Sequence, residues 1–288
     1  MEIAFRLVDV FTEVPFAGNQ LCVVPEHPDD LDGATMQILA REIGFSETTF
    51  VSSAEPAGYR MRIFTPDAEL PFAGHPTLGT AFVLASEGRT GTSVVQTTSA
   101  GEVPVEIDLG AKTALMHQLP PVFGDAFTDS ELAATAAGLG RDDLDGGLPI
   151  QPVGTGLRSL MVPVKDEATL RRAERDGRAC ARLAEAAGAD TLYFFAVRRD
   201  GDVMARMFDP GIGIGEDPAT GSAAGPLGAY LAANGLAGAA DGVRVTIAQG
   251  EIVNRPSFLH VDVARERDGW SVKVGGGVQI VGQGTFRL

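Results

Sequence analysis

Cysteine is nearly missing from this chain, with only Cys22 and Cys180 present. They lie far apart and form no framework of bridges or metal ligands, which fits a reducing compartment. Histidine is also scarce, and His27, His75, His117 and His260 show no HExxH or other metal-ligand spacing, so no metal site is expected. Neither a GxSxG elbow nor a GxxxxGK phosphate loop occurs, which removes the common hydrolase and nucleotidase readings. No run of about 18 apolar residues exists. Glu2, Arg6 and Asp9 interrupt the opening residues, so neither a signal peptide nor a membrane span is expected, and the cytoplasm is the expected compartment. Basic side chains are the minority, 23 against 38 acidic, and the resulting net charge of -15 repels phosphate backbones. Nucleic acid is therefore not an expected partner. Gly211-Ile212-Gly213-Ile214-Gly215 has the look of a dinucleotide loop, but Glu216 and Asp217 follow it and would repel a pyrophosphate, so no nicotinamide or flavin cofactor is expected.

What is present is a repeat. At about 150 residues per domain, 288 residues suggest about two domains. LAREIGFSETTFV, beginning at Leu39, matches LAEAAGADTLYFF, beginning at Leu183, an offset of 144. GHPTLGTA matches EDPATGSA with Pro76 on Pro218, an offset of 142, and Leu21-Cys22-Val23 matches Leu160-Met161-Val162, an offset of 139. IFTP (63–66) precedes the first of these helix starts and MFDP (207–210) the second. Three matches in one order at nearly one offset point to two structurally similar halves.

In each half, short runs rich in β-branched and aromatic residues, such as 5–10, 21–24 and 59–64, are expected strands. A helix is expected after Pro76 and another after Pro218, because proline suits the first helical position. His75 and Asp217 then fall at the two N-caps. Both helices are apolar nearly all round, which predicts that each is wrapped by strands. The segment 120–149 separates the halves and carries one short helix, while the tail 270–288 is expected to form two strands.

A buried helix start offers unpaired N–H groups and partial positive charge to a carboxylate or phosphate. If the halves pack about a pseudo-twofold axis, His75 and Asp217 approach one cleft, lined by Gly74 and Thr220-Gly221-Ser222. Two readings stand for each residue: a helix cap worth about 1 kcal/mol, or a group that handles substrate. Glu47 in GFSETTFV lies at a helix-to-strand corner and is either a solvated loop carboxylate or a proton carrier. A carboxylate in a cleft of low polarity has a raised pKa and can pass protons near neutral pH.

The chain resembles the PhzF family of phenazine-biosynthesis-like isomerases over essentially its full length. The resemblance rests on VDVFTEVPFAGNQLCVV (8–24), GFSETTFV (44–51), FTPDAELPFAGHPTLGTA (64–81), FDPGIGIGEDPATGSAAG (208–225) and the closing QGEIVNRPSFLHV and VGGGV segments. It implies an α+β protein with the diaminopimelate epimerase-like fold: two pseudo-symmetric domains, each a β-barrel around a central helix. The implied boundaries are 1–118, completed by a returning strand at 278–288, and 119–277. A homodimer without cofactor is implied as well. Carried onto this chain, the resemblance makes Glu47 the catalytic proton carrier, Asp217 the second acidic group, and His75 with Gly74 the pair holding the substrate near it. Thr220, Gly221 and Ser222 become a substrate-contacting helix start, and Asn19 matches the Gly-Asn of the first motif. The implied activity is isomerisation of a small anionic substrate, trans-2,3-dihydro-3-hydroxyanthranilate, by moving a proton from C3. Alternatives are epimerisation or isomerisation of another small amino or hydroxy acid, or a binding protein without turnover. Related amino-acid epimerases carry a cysteine at each helix start, and this chain has neither. Asn254 replaces a glycine common in relatives, which asks only that it tolerate a left-handed turn.

Overall fold

The computed structural model describes residues 2–98, 101–198, 201–211, 215–236, 242–267 and 269–288. It divides into two compact units, Met1–His117 with Gly275–Leu288, and Gln118–Val274.

The first unit holds strands β1 (Glu2–Val10), β2 (Asn19–Val24), β3 (Glu47–Glu55), β4 (Gly58–Phe64), β5 (Glu69–Leu70), β6 (Ser93–Thr98), β7 (Gly101–Asp108) and β8 (Thr113–Gln118). Its helices are α1 (Gly33–Ile43) and α2 (Gly74–Ser86). Strand β2 pairs in parallel with β3, and β4 with β6. Parallel neighbours need crossover connections, and α1 and α2 supply them. Antiparallel pairing joins β1 to β2, β3 to β4, β6 to β7 and β7 to β8. The last strand of the chain then pairs with both β8 and β1, so eight strands close into a barrel. Helix α2 fills it, with every residue from Gly74 to Ala85 buried, as its all-round apolar sequence requires.

The second unit contains β9 (Val122–Phe123), β10 (Gln151–Gly154), β11 (Arg158–Pro163), β12 (Thr191–Val197), β13 (Val203–Phe208), β14 (Glu216–Asp217), β15 (Gly242–Gln249) and β16 (Ser257–Glu266), and the last strand, β17 (Gly269–Arg287), begins in it and ends in the first. Its helices are α3 (Ser130–Ala136), α4 (Glu167–Arg171), α5 (Gly177–Ala187) and α6 (Gly221–Ala233). The parallel pairs recur, β11 with β12 and β13 with β15. Helix α6 is buried from Gly221 through Leu231. Each unit is thus a strand barrel wrapped around one central helix.

The repeat is physical as well as textual. Helices α1 and α5 both start at an Asp cap, Asp32 and Asp176, and both stop at a left-handed glycine, Gly44 and Gly188. A further duplicated device is an arginine fork. Arg62 of β4 makes two 2.7 Å bonds to Glu69, and Arg206 of β13 bonds Glu216 at 2.9 and 2.7 Å. Each guanidinium also lies over a ring two residues on, Phe64 at 5.0 Å and Phe208 at 4.9 Å. These forks place Glu69 on Glu216 and Gly74 on Gly221, an offset of 147 in both cases.

That register corrects the helix starts expected from proline. Helix α2 begins at Gly74 with Ala73 as its cap, so His75 is its second residue and Pro76 its third. The first N–H groups of a helix have no partner within it, so proline there forfeits no bond, and the helix extends beyond it. Asp217 is no cap either. It lies in β14, paired with Met207, because the following Pro218 disfavours helical geometry before it. Thr220 caps α6, without a side-chain bond to the helix. Where two strands were expected in the tail, β17 is one strand of 19 residues. Its triple glycine allows close passage: a Cβ on Gly277 would sit 2.3 Å from the Thr12 carbonyl oxygen. Asn254 is left-handed, with φ 58°. Residues 212–214 of the glycine-rich loop lie outside the described residues.

Candidate active site

In the first unit, helix α1 ends at Gly44 and the chain turns within two residues into β3, whose first residue is Glu47. There Glu47 pairs with Leu21 of β2, two positions after Asn19 opens that strand. The loop before Asn19 is shaped by Asp9, buried in β1, which accepts the Phe16 N–H at 2.7 Å. Gly18 sits at φ 72° with a Cβ position 2.4 Å from the Val10 carbonyl oxygen, so only glycine fits there.

Three side chains converge on this corner. His75 Nε2 lies 3.2 Å from Glu47 Oε2, and their side chains are only 5% and 12% exposed. The two atoms approach without the alignment of a full hydrogen bond. Asn19 Nδ2 lies 3.1 Å from His75 Nδ1, and the Ser46 hydroxyl donates to Asn19 Oδ1 at 3.0 Å. Those contacts line Nδ1 with Asn19 and leave Nε2 facing the Glu47 carboxylate. Burial drives the His75 pKa down to about 3, outweighing the Gln20 main chain, which favours the charged form. At neutral pH the imidazole is therefore uncharged, and it offers the Glu47 carboxylate a polar neighbour instead of a counter-ion.

The second unit carries a different arrangement. Asp217 Oδ2 accepts the Thr220 hydroxyl at 2.5 Å. Gln249, at the end of β15 and fully buried, donates to the Asp217 carbonyl at 2.8 Å and to Thr220 Oγ1 at 3.0 Å. Tyr193 of β12 donates to Gln249 Oε1 at 2.8 Å. Gly221 and Ser222, the first residues of α6, are buried, and the Gly221 carbonyl accepts Gln118 Nε2 at 2.9 Å.

The structure thus gathers Asn19, Glu47 and His75 in one unit, with Gly74 as the buried first residue of α2, and Asp217 with Thr220 in the other. Sequence reasoning missed Ser46, Tyr193 and Gln249. Ser46 lies inside the GFSET segment and Gln249 opens QGEIVNRP, but a buried amide looks like an exposed one until its partners are seen. Both thiols are buried, Cys22 raised to about 12 and Cys180 to about 11 by loss of solvation, which makes them poor nucleophiles. Among the described residues, no group of three or more His, Cys, Asp or Glu side chains could hold a metal ion.

The phenazine biosynthesis-like protein family, PhzC-PhzF, matches residues 8–284. The chain is 36% identical over 283 residues to an uncharacterized isomerase, YddE, of Escherichia coli O157:H7, covering 95% of each chain. It is 35% identical over 289 residues to the trans-2,3-dihydro-3-hydroxyanthranilate isomerase of Pseudomonas chlororaphis, covering 99% of each. Among solved structures, the PhzF-family phenazine biosynthesis protein of Bacillus anthracis superimposes with a TM-score of 0.90 at 29% identity, over 100% of both chains. Two helix-filled barrels, a carboxylate set against a neutral histidine, and a match spanning nearly every residue converge on one assignment: the chain belongs to the phenazine biosynthesis-like PhzF family.

Proposed function

We propose that this chain, an isomerase of the PhzF family, moves a proton on a small carboxylated ring of the trans-2,3-dihydro-3-hydroxyanthranilate type. Glu47 takes the proton from C3 and returns it elsewhere on the conjugated system. His75, whose Nε2 faces Glu47, is the uncharged neighbour that orients that carboxylate, and Asp217 serves as the second acidic group. Gly74, Gly221 and Ser222 supply close-approaching backbone at two helix starts, whose N–H groups suit the substrate carboxylate. Asn19, in contact with His75 Nδ1, holds the ring in place. In this reading the protein works in the cytoplasm as a homodimer, and acid/base chemistry proceeds without metal or cofactor.

The observation that carries the proposal is the 3.2 Å approach of His75 Nε2 to Glu47 Oε2, with side chains only 5% and 12% exposed. A general base needs a partner that orients it without neutralising it, and an imidazole held neutral by burial meets that need. The relative from Pseudomonas chlororaphis, named for this reaction, supports the substrate class.

The test is conversion of trans-2,3-dihydro-3-hydroxyanthranilate by the purified chain beside Glu47→Gln. Conversion by the wild type, with loss of at least roughly a hundredfold in the variant and substrate still raising the Tm of both, is the expected result. Equal rates would remove Glu47 from the role. No conversion, together with thermal stabilisation by a different small acid, would move the activity to that acid. Unchanged rates after exhaustive chelation are expected as well.

A further inference from the structure

Gln249 and Tyr193 have no part in the proton transfer as proposed, yet both are buried and each is spent on a single network. Gln249 Oε1 accepts from Tyr193 Oη at 2.8 Å and from the Thr220 N–H at 3.2 Å. Its amide nitrogen donates to the Asp217 carbonyl at 2.8 Å and to Thr220 Oγ1 at 3.0 Å. An amide has two acceptor positions and two donors, and all four are engaged, so its orientation is fixed by its neighbours. Loss of solvation keeps the Tyr193 phenol protonated, and the Asp217 charge adds to that effect. The phenol can therefore only donate to Gln249. Since Thr220 Oγ1 receives a proton from Gln249, its own hydroxyl proton goes to Asp217 Oδ2, 2.5 Å away.

We infer that Tyr193, Gln249 and Thr220 form a one-way hydrogen-bond relay that holds Asp217 Oδ2 as an acceptor, making Thr220 a positioning residue for the second acidic group. The inference rests on the reading of Asp217 as that group. It gives Thr220 a different task from contact with the substrate, because its hydroxyl is engaged on both sides within the fold. The relay also explains why Thr220 caps α6 without a side-chain bond to the helix. Gln249 is 32 residues from Asp217, and the sharp turn at Gly250 keeps it in place: that residue has φ 80°, and a Cβ there would lie 2.5 Å from the Pro218 carbonyl oxygen.

The experiment uses the full chain with Thr220→Val, Thr220→Ser and Tyr193→Phe, reading kcat and KM on trans-2,3-dihydro-3-hydroxyanthranilate. A second readout is the carboxyl carbon resonance of Asp217 in protein labelled with ¹³C-aspartate, assigned by its disappearance in Asp217→Asn. Thr220→Val is expected to lower kcat roughly tenfold or more with KM within about twofold, the loss of a hydrogen bond to a charged group. It should also shift the Asp217 resonance, Thr220→Ser should restore both, and Tyr193→Phe should move both in the same direction by less. A raised KM with kcat intact would overturn the relay in favour of substrate contact, as would an unmoved resonance. Equal failure of Thr220→Ser and Thr220→Val would overturn it too. If the wild type turns over nothing, the functional reading fails by itself. The resonance then decides the relay: displaced in Thr220→Val and restored in Thr220→Ser, the relay stands, and any other pattern ends it.

Discussion

His75 is the residue of the candidate site whose burial has the clearest consequence for stability. Its pKa drops from 6.5 to about 3 on burial. Between those values the unfolded chain binds the proton and the folded one does not, so stability falls as pH is lowered through that interval. The full effect is at most about 5 kcal/mol. Thermal unfolding between pH 7 and 4 should accordingly show a steeper acid decline in the wild type than in His75→Gln, and parallel curves would contradict a neutral buried imidazole. A matching contrast lies in the two arginine forks. The Arg206 side chain is 5% exposed, is paired with Glu216, and also donates to the carbonyls of Leu170 and Ala173. Arg62 is 38% exposed. Arg206→Met should cost about 3 kcal/mol, since it strands a carboxylate only 12% exposed and two carbonyls, and Arg62→Met no more than about 1 kcal/mol. Urea denaturation of the two variants measures the difference. Of the site itself, Glu47, His75 and Asp217 were legible as candidates because each sits beside a turn or a proline. Their neighbours were not, because Gln249 and Tyr193 owe their roles to pairing across strands far apart in the chain.

At the scale of elements, the repeat was visible in sequence at the glycines that end α1 and α5, while the aspartates that start them and the arginine forks emerged only from the structure. Asp-Gly before α1 and α5, and glycine after them, are caps with short-range causes. The central helices were recognisable because a helix apolar on every side has to be enclosed. Their starts were misplaced because proline is tolerated throughout the first turn and also just before a cap, so aligning Pro76 with Pro218 aligned two different positions. The tail was divided in sequence because glycines usually end strands, whereas here they let β17 pass against neighbouring backbone. Gly277→Ala would bring a methyl group against the Thr12 carbonyl, with no side chain able to yield. A loss of about 2 kcal/mol is expected, against less than about 0.5 kcal/mol for Gly146→Ala, which meets nothing within 4 Å. Comparable midpoints in urea would show that the β17 crossing is looser than described.

At the scale of the molecule, one barrel-and-helix plan occurs twice, and in the proposed function each unit supplies a different proton-handling group. One unit presents a carboxylate beside a neutral histidine, the other a carboxylate held by a hydroxyl relay. The most direct measurement is reaction of trans-2,3-dihydro-3-hydroxyanthranilate in deuterated buffer, with the isotope located in the product by NMR. The account predicts conversion by the wild type, with deuterium at the carbon that receives the proton to the extent that Glu47 exchanges with solvent, and neither conversion nor label above background in Glu47→Gln. Conversion and labelling that persist unchanged in Glu47→Gln would contradict it.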